Sequence, residues 1–390
     1  MIDEREVLSA VVIGAGTAGL IAAYELQRRG IKFRVLEKEP RVGEQWRRRH
    51  PQLTLNTHRD LSTLPGMKYR PGTSAFPKRD AVVSHLRDFV DVHAIPIDFG
   101  VTVSTVQRKN GIFEVHTDAG MMIAHNVIIA AGRDSRPWIP DWHGLRNYRG
   151  SVIHSAHFGN VEDYAGKNVL VVGAGNSGVD VLNHLARSNA ATLWLSVRNG
   201  PTLLPKRLFG VTIHRLSPLT SKLPTKLADY VLALVGRLAF GDLTHFGLPK
   251  PKKGGISRLK EQVALALDDG AVSAIKKGRV VVVPEVKEFR DDRIVFADRR
   301  TLRPDIVIAA TGYATGLEEM VGPLGVLDRN GRACFNGGEQ TTDAPGLWFI
   351  GMRASILGDV GSAKKQAYAI ATAIAKDHRR HSCPASTKHL

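Results

Sequence analysis

Only two cysteines, Cys334 and Cys383, occur among the 390 residues, and they form neither a CxxC pair nor part of a metal-ligating set. That excludes dithiol exchange and a cysteine-built zinc site, and it suits a reducing compartment. No apolar run reaches the roughly 18–20 residues that a membrane-spanning helix needs. The opening MIDEREVLSA is acidic and polar ahead of its first strand, unlike a secretory leader, so a cytoplasmic location is expected. Acidic residues are scarce as well: 37 Asp and Glu against 54 Lys and Arg leave a formal charge of +17. The basic residues are dispersed and aromatics make up 6% of the chain, so clustered cations with interleaved stacking rings, the pattern of a nucleic-acid surface, are missing. A solvated basic surface that also attracts anionic cofactors is the simpler reading.

What the chain does have is a pair of glycine fingerprints. AVVIGAGTAGLIAAYEL opens it, and KNVLVVGAGNSGVDV (167–181) repeats the pattern near the middle. Residues 10–14 read as a buried strand, 17–29 as a helix stopped by Gly30, and 32–38 as the next strand. VTVSTVQ (101–107) and IFEVHT (112–117) flank Asn110-Gly111 as a hairpin, and NVIIAAG (126–132) is a buried strand ending in glycine. The second half follows the same order: ATLWLSVR (191–198), a hairpin about Asp291-Asp292, then DIVIAATGY (305–313). The chain returns through GLWFIGM (346–352) and a helix over 361–376. This is duplication at domain scale. The fold class is α/β, with two Rossmann-like dinucleotide-binding domains, the second inserted into the first. The expected division is 1–160 for the first part of the outer domain, 161–304 for the inserted one with a helical insertion at about 205–265, 305–378 for the return, and 379–390 for a flexible tail.

In each fingerprint the first glycine permits the tight turn, the second lets backbone approach a pyrophosphate, and the third lets helix pack on strand. These are Gly14, Gly16 and Gly19, then Gly173, Gly175 and Gly178, with helix-N-terminal amides, Asn176 and Ser177 among them, to hold phosphate. The residue ending the second strand separates the occupants. Glu37, followed by Lys38, offers a carboxylate to a ribose diol and leaves no room for a 2′-phosphate, which fits FAD. Arg198 holds the equivalent place in the second half, where a guanidinium forks onto phosphate and favours NADPH over NADH. Either charge is otherwise a solvated strand end. Lys206 and Arg207 are further phosphate contacts or a plain basic loop. Two cofactor sites without a sizeable substrate domain imply that NADPH reduces a flavin held by the first domain.

With these residues the sequence resembles the flavin-containing monooxygenases, the class that includes the Baeyer–Villiger enzymes. In YRGSVIHSAHF, Tyr148, Gly150, His154 and Phe158 fit the signature F-x-G-x-x-x-H-x-x-x-[FYW], with Tyr148 replacing Phe. VGEQW resembles the family's GGxW, with Val42 for its first glycine, which implies Gln45 and Trp46 near the flavin. Val103 matches a position whose backbone meets the adenine. A narrower likeness is to the YUCCA-type monooxygenases, through RGSVIHSAHF, GDLTHFGLPKP and DIVIAATGY. Asn56, in LTLNTHRDL, matches instead an asparagine of the N- and S-oxygenating members that the YUCCA group generally lacks. The resemblance implies a C4a-(hydro)peroxyflavin that inserts one oxygen atom of O2 into a small organic substrate, an arylpyruvate-type 2-oxo acid or a soft nitrogen or sulfur nucleophile. Asn56 is then the catalytic contact or, on local pattern alone, a turn residue. Baeyer–Villiger oxygenation, NADPH oxidase activity and electron-transfer reduction stay open, as does oligomeric state. The amphipathic pattern over 225–240 reads as core packing, a wall over the substrate entrance, or a membrane-surface patch, and PKPKKGG (249–255) as a flexible basic loop.

Overall fold

A computed structural model describes residues 7–220 and 222–382. Val7–Ile13 is a strand whose first residue is exposed and whose middle, Ala10, Val11 and Val12, is buried completely between two layers. It pairs in parallel with Phe33–Glu37 on one side and with Gly120–Ile129 on the other. Ile97–Phe99 extends the sheet beyond Phe33–Glu37, and the returning Leu347–Phe349 adds a parallel strand beside Gly120–Ile129. Ile112–Thr117 and Val103–Lys109 complete it as an antiparallel meander. Asn110 and Gly111, at φ 49° and 85°, make the tight turn between them. The helices Thr17–Gln27 and Gly358–Ser382 share one core, where Leu20 and Ala23 meet Ala363, Ala367 and Ile370. The final helix starts before and ends after the expected 361–376. It thus takes in part of the segment assigned to the tail, and Cys383 lies outside the described residues.

The second sheet is wholly parallel: Val280–Val283, Thr192–Ser196, Asn168–Val172, Ile306–Ala309 and Ser151–His154, in that order. Two of these strands differ from the sequence-based division. Their place in the sequence puts Ser151–His154 and Ile306–Ala309 in the outer unit, but they pair with each other inside the second sheet. Ile306–Ala309 is buried on both faces and needs a neighbour on each side, and Ser151–His154 supplies the outer one.

The insertion leaves and rejoins this unit through the parallel pair Leu203–Pro205 and Ala266–Asp268. Its main element is the helix Thr225–Phe240. Asp229, on that helix, accepts from the Ile256 and Ser257 backbone N–H groups at 2.6 and 3.2 Å and from the Ser257 hydroxyl at 2.6 Å. The end of the basic loop is thereby tied down as the start of the helix Gly255–Lys260.

Candidate functional site

The two fingerprints have the same geometry. Gly14 and Gly173 sit at φ 104° and 106°, and a Cβ there would stand 2.7 Å from the Ala130 carbonyl oxygen and 2.5 Å from that of Ala310. At Gly19 and Gly178 a Cβ would fall 1.9 Å from the carbonyl oxygen of Gly14 and of Gly173. These four close the turn and the helix–strand contact. Gly16 and Gly175 differ, because a Cβ would meet nothing within 4 Å. Each is the N-cap of its helix, Thr17–Gln27 or Asn176–Leu185, with no side chain capping the free N–H groups. An open cradle of backbone donors at a helix N-terminus fits a pyrophosphate.

Glu37 ends its strand beside the first cradle. One carboxylate oxygen accepts from the Ala15 N–H at 2.6 Å and the other from the Glu39 N–H at 3.0 Å, which locks the carboxylate against the glycine turn. Lys38 follows it. Gln45 and Trp46 lie in the short helix Glu44–Arg47, whose N-cap Gly43 is left-handed, and Trp46 packs against the first core. Val103 is buried at the start of its strand. Arg198 lies just beyond Thr192–Ser196, its side chain 73% exposed and only loosely held by Glu285 at 3.7 Å. Lys206 is not available in that way. It is buried, its ammonium bonds the Thr54 hydroxyl at 2.9 Å and lies 4.4 Å from the Phe76 ring centroid, and burial lowers its pKa against the opposing pull of Asp269 and Asp180. Arg207 stacks on the same ring.

The units meet at Asn56. Its amide Nδ2 donates to Asn176 Oδ1 at 2.9 Å, which joins the loop after Trp46 to the first residue of the second fingerprint helix. Ser177 follows Asn176 in that helix. Both asparagines line a cavity of about 150 Å³. Its far wall is apolar, with Leu204, Leu232 and Val235 from the insertion. Three polar groups on its lining had no sequence signal. Arg133 donates to Asp359 at 2.9 Å across 226 residues of chain, and His214 presents a buried Nδ1 with no hydrogen-bond partner. Burial lowers the His214 pKa, Asp359 pulling the other way and Lys206 adding to the fall.

Of the signature residues, Tyr148 and Gly150 lie inside the second unit, where Tyr148 packs against Phe289, and His154 and Phe158 lie at the seam. The Tyr148 ring lies over Gly150, where a Cβ would meet it at 2.6 Å, and burial pushes the Tyr148 hydroxyl up to about 12. His154 is fully engaged: Nδ1 accepts from the Ala156 N–H at 3.0 Å, which leaves Nε2–H to donate to the Gly312 carbonyl at 2.9 Å. Its ring packs edge-on against Tyr313, whose hydroxyl accepts from Arg49 at 2.8 Å. Phe158 is buried between Tyr164 and His50. His50 in turn meets Asp180 at 2.9 Å, with His184 3.8 Å from the same carboxylate. Ligating atoms of His50, Asp180 and His184 lie within 4.8 Å of one another, but Arg187 and Lys206 add positive charge at His184 and oppose a dication. The trio works as a polar clasp between the loop that carries Asn56 and the helix that begins at Asn176.

The model of the pyridine nucleotide-disulphide oxidoreductase family matches residues 11–208. Indole-3-pyruvate monooxygenase YUCCA1 of Oryza sativa subsp. japonica is 32% identical over 331 residues, 83% of this chain and 81% of that protein. Among solved structures, the flavin-containing monooxygenase from Stenotrophomonas maltophilia aligns with a TM-score of 0.71 at 21% identity, over 97% of this chain and all of its own. OTEMO, in complex with FAD and NADP, gives 0.72 at 17% identity over 96% of this chain and 85% of its own. At such identities the two structures speak for the fold alone.

Proposed function

The chain belongs to the pyridine nucleotide-disulphide oxidoreductase family, among the YUCCA-type flavin monooxygenases, and on that premise we propose that its outer Rossmann-like unit binds FAD, its inserted unit NADPH, and the cavity between them a small organic substrate. It is an NADPH-dependent flavoprotein monooxygenase. Bound there, the two cofactors would supply hydride transfer and activation of O2, with one oxygen atom entering the substrate and the other leaving as water.

The Asn56–Asn176 contact carries the proposal, because it brings the helix that starts at the second cradle against a loop of the outer unit beside one cavity. Gly16 and Gly175 leave the backbone open to the two pyrophosphates. Glu37, held by the Ala15 amide, receives the adenosine ribose of FAD, and exposed Arg198 receives the 2′-phosphate of NADPH. Asn56 spends one amide N–H on Asn176 and keeps the second for the oxygen being transferred. Leu204, Leu232 and Val235 exclude water from that atom and accept an apolar substrate body. Arg133 and His214, on the same lining, supply the polar end of the pocket, and an aromatic 2-oxo acid is the first substrate class that this combination favours.

The test is to load the protein with FAD, reduce it with NADPH without air, then admit O2 with arylpyruvates, thioethers or amines. A product heavier by one oxygen, or the decarboxylated acid, is expected by mass spectrometry with label from 18O2. Stoichiometric H2O2 with no labelled product from any of the three classes overturns the oxygenation reading. A colourless protein that does not take up FAD overturns the whole assignment.

A further inference from the structure

The helix Thr225–Phe240 is apolar on two sides. Val231, Leu232 and Val235 face the cavity described above. Leu227, Tyr230, Leu234 and Leu238 follow one another at steps of three and four residues, which sets them in one stripe, and they are 48%, 68%, 45% and 67% exposed. Leu238 lines a groove that it shares with Phe209. Phe209 tips the hairpin Arg207–Leu208/Val211–Thr212, is 92% exposed, and is held at φ 48°, a conformation bulky side chains avoid. Exposed Leu223 and Val211 belong to the same insertion. Single exposed apolar residues are ordinary, but so many large ones concentrated in one insertion mark an interaction surface.

The charge around the stripe identifies its partner. Residues 205–262 contain eleven Lys and Arg against three Asp and Glu, so about half of the chain's +17 lies in this one insertion. One of the three acids, Asp229, is turned inward as the cap of Gly255–Lys260. Arg207, Lys222, Lys226 and Arg237 are exposed beside the apolar residues. A second copy of the chain would press two strongly basic faces together. Among the described residues no helix is long and apolar enough to cross a membrane. An amphipathic helix with basic flanks and an aromatic tip matches instead the interface of an anionic bilayer.

We propose that the chain docks peripherally on an anionic lipid surface, with Phe209 and the stripe Leu227–Tyr230–Leu234–Leu238 entering the headgroup boundary and the flanking lysines and arginines on the lipid phosphates. The inference rests on this surface and not on the reaction proposed above. It makes one helix both the contact with lipid and a wall of the cavity.

The FAD-loaded full chain is sedimented with vesicles of phosphatidylcholine alone and of phosphatidylcholine mixed with phosphatidylglycerol, at low and high salt. Binding at least about tenfold stronger to the anionic vesicles, falling as salt rises, is expected. Phe209→Ser with Leu238→Ser should weaken it about tenfold or more, and Lys226→Glu with Arg237→Glu should remove the preference for anionic lipid. FAD content and thermal melting establish that each variant folds, and Tyr230→Ser takes over the test if the double variant does not. A wild-type chain that stays in solution beside anionic vesicles overturns the proposal, as does unaltered sedimentation of the folded serine variants. A dimer that those variants convert to monomer gives the surface to a second copy and also overturns it.

Discussion

Asn56 and Arg198 lie at opposite ends of the proposed nicotinamide nucleotide site, and their environments set different consequences for losing them. Arg198 is exposed and only loosely paired with Glu285, so little in the fold depends on it. Arg198→Ala is expected to raise the Kd for NADPH by ten- to a hundredfold, roughly 1.4–2.7 kcal/mol, and to leave NADH nearly unchanged. Titration of the FAD-loaded protein with each nucleotide checks this, and equal losses would remove the 2′-phosphate from Arg198. Asn56→Ala should leave reduction by NADPH at its normal rate and raise the H2O2 released per NADPH consumed several-fold, since the amide that meets Asn176 would no longer hold the transferred oxygen. Unchanged coupling would reduce Asn56 to a link between units. Asn56 and Asn176 were both legible, one by resemblance and one by its place in a fingerprint. Arg133, His214 and Asp359 were not: no local pattern marks them, and Arg133 finds Asp359 only after 226 residues of chain have folded back.

Within the elements, the glycines divide by what surrounds them, and the division is testable. At Gly178 an added methyl meets the chain's own Gly173 carbonyl oxygen at 1.9 Å, whereas at Gly175 it meets nothing within 4 Å. Gly178→Ala should therefore destabilise the fold by about 1–3 kcal/mol and lower Tm by several degrees. Gly175→Ala should melt like the wild type yet bind NADPH at least about tenfold more weakly, because its methyl would occupy the space proposed for the pyrophosphate. Differential scanning fluorimetry with and without NADPH separates the two, and a melting loss at Gly175 equal to that at Gly178 would remove the open cradle. The strand–turn–helix runs at both fingerprints and the Asn110-Gly111 hairpin could be read directly, since each is written in adjacent residues. The pairing of Ser151–His154 with Ile306–Ala309 could not, because nothing local fixes a register between strands about 150 residues apart.

For the whole molecule, the buried histidines set the response to acid. His85, on the helix Arg79–His93, is buried against Tyr69 and accepts the Leu64 N–H at 3.0 Å through Nε2, so its neutral form is the one the fold requires. Burial lowers its pKa to about 4, with Asp88 opposing and Lys364 adding to the shift. His154, His184 and His214 are shifted downward as well, burial being the first cause each time. A histidine whose folded pKa lies below its unfolded value stabilises fully above about pH 6.5, and that stabilisation is lost as the pH falls toward the folded value. For His85 the loss amounts to roughly 2 kcal/mol by pH 4.5. The basic surface adds general repulsion in acid, but it does so equally in a variant that keeps every exposed charge. His85→Gln keeps an acceptor for the Leu64 amide and removes the proton-binding site. Urea unfolding at pH 7.5 and 4.5 should show the variant losing about 2 kcal/mol less than the wild type between the two. An identical loss in both proteins would mean that His85 is not what acid attacks, and would shift the sensitivity to the histidines at the seam between the units.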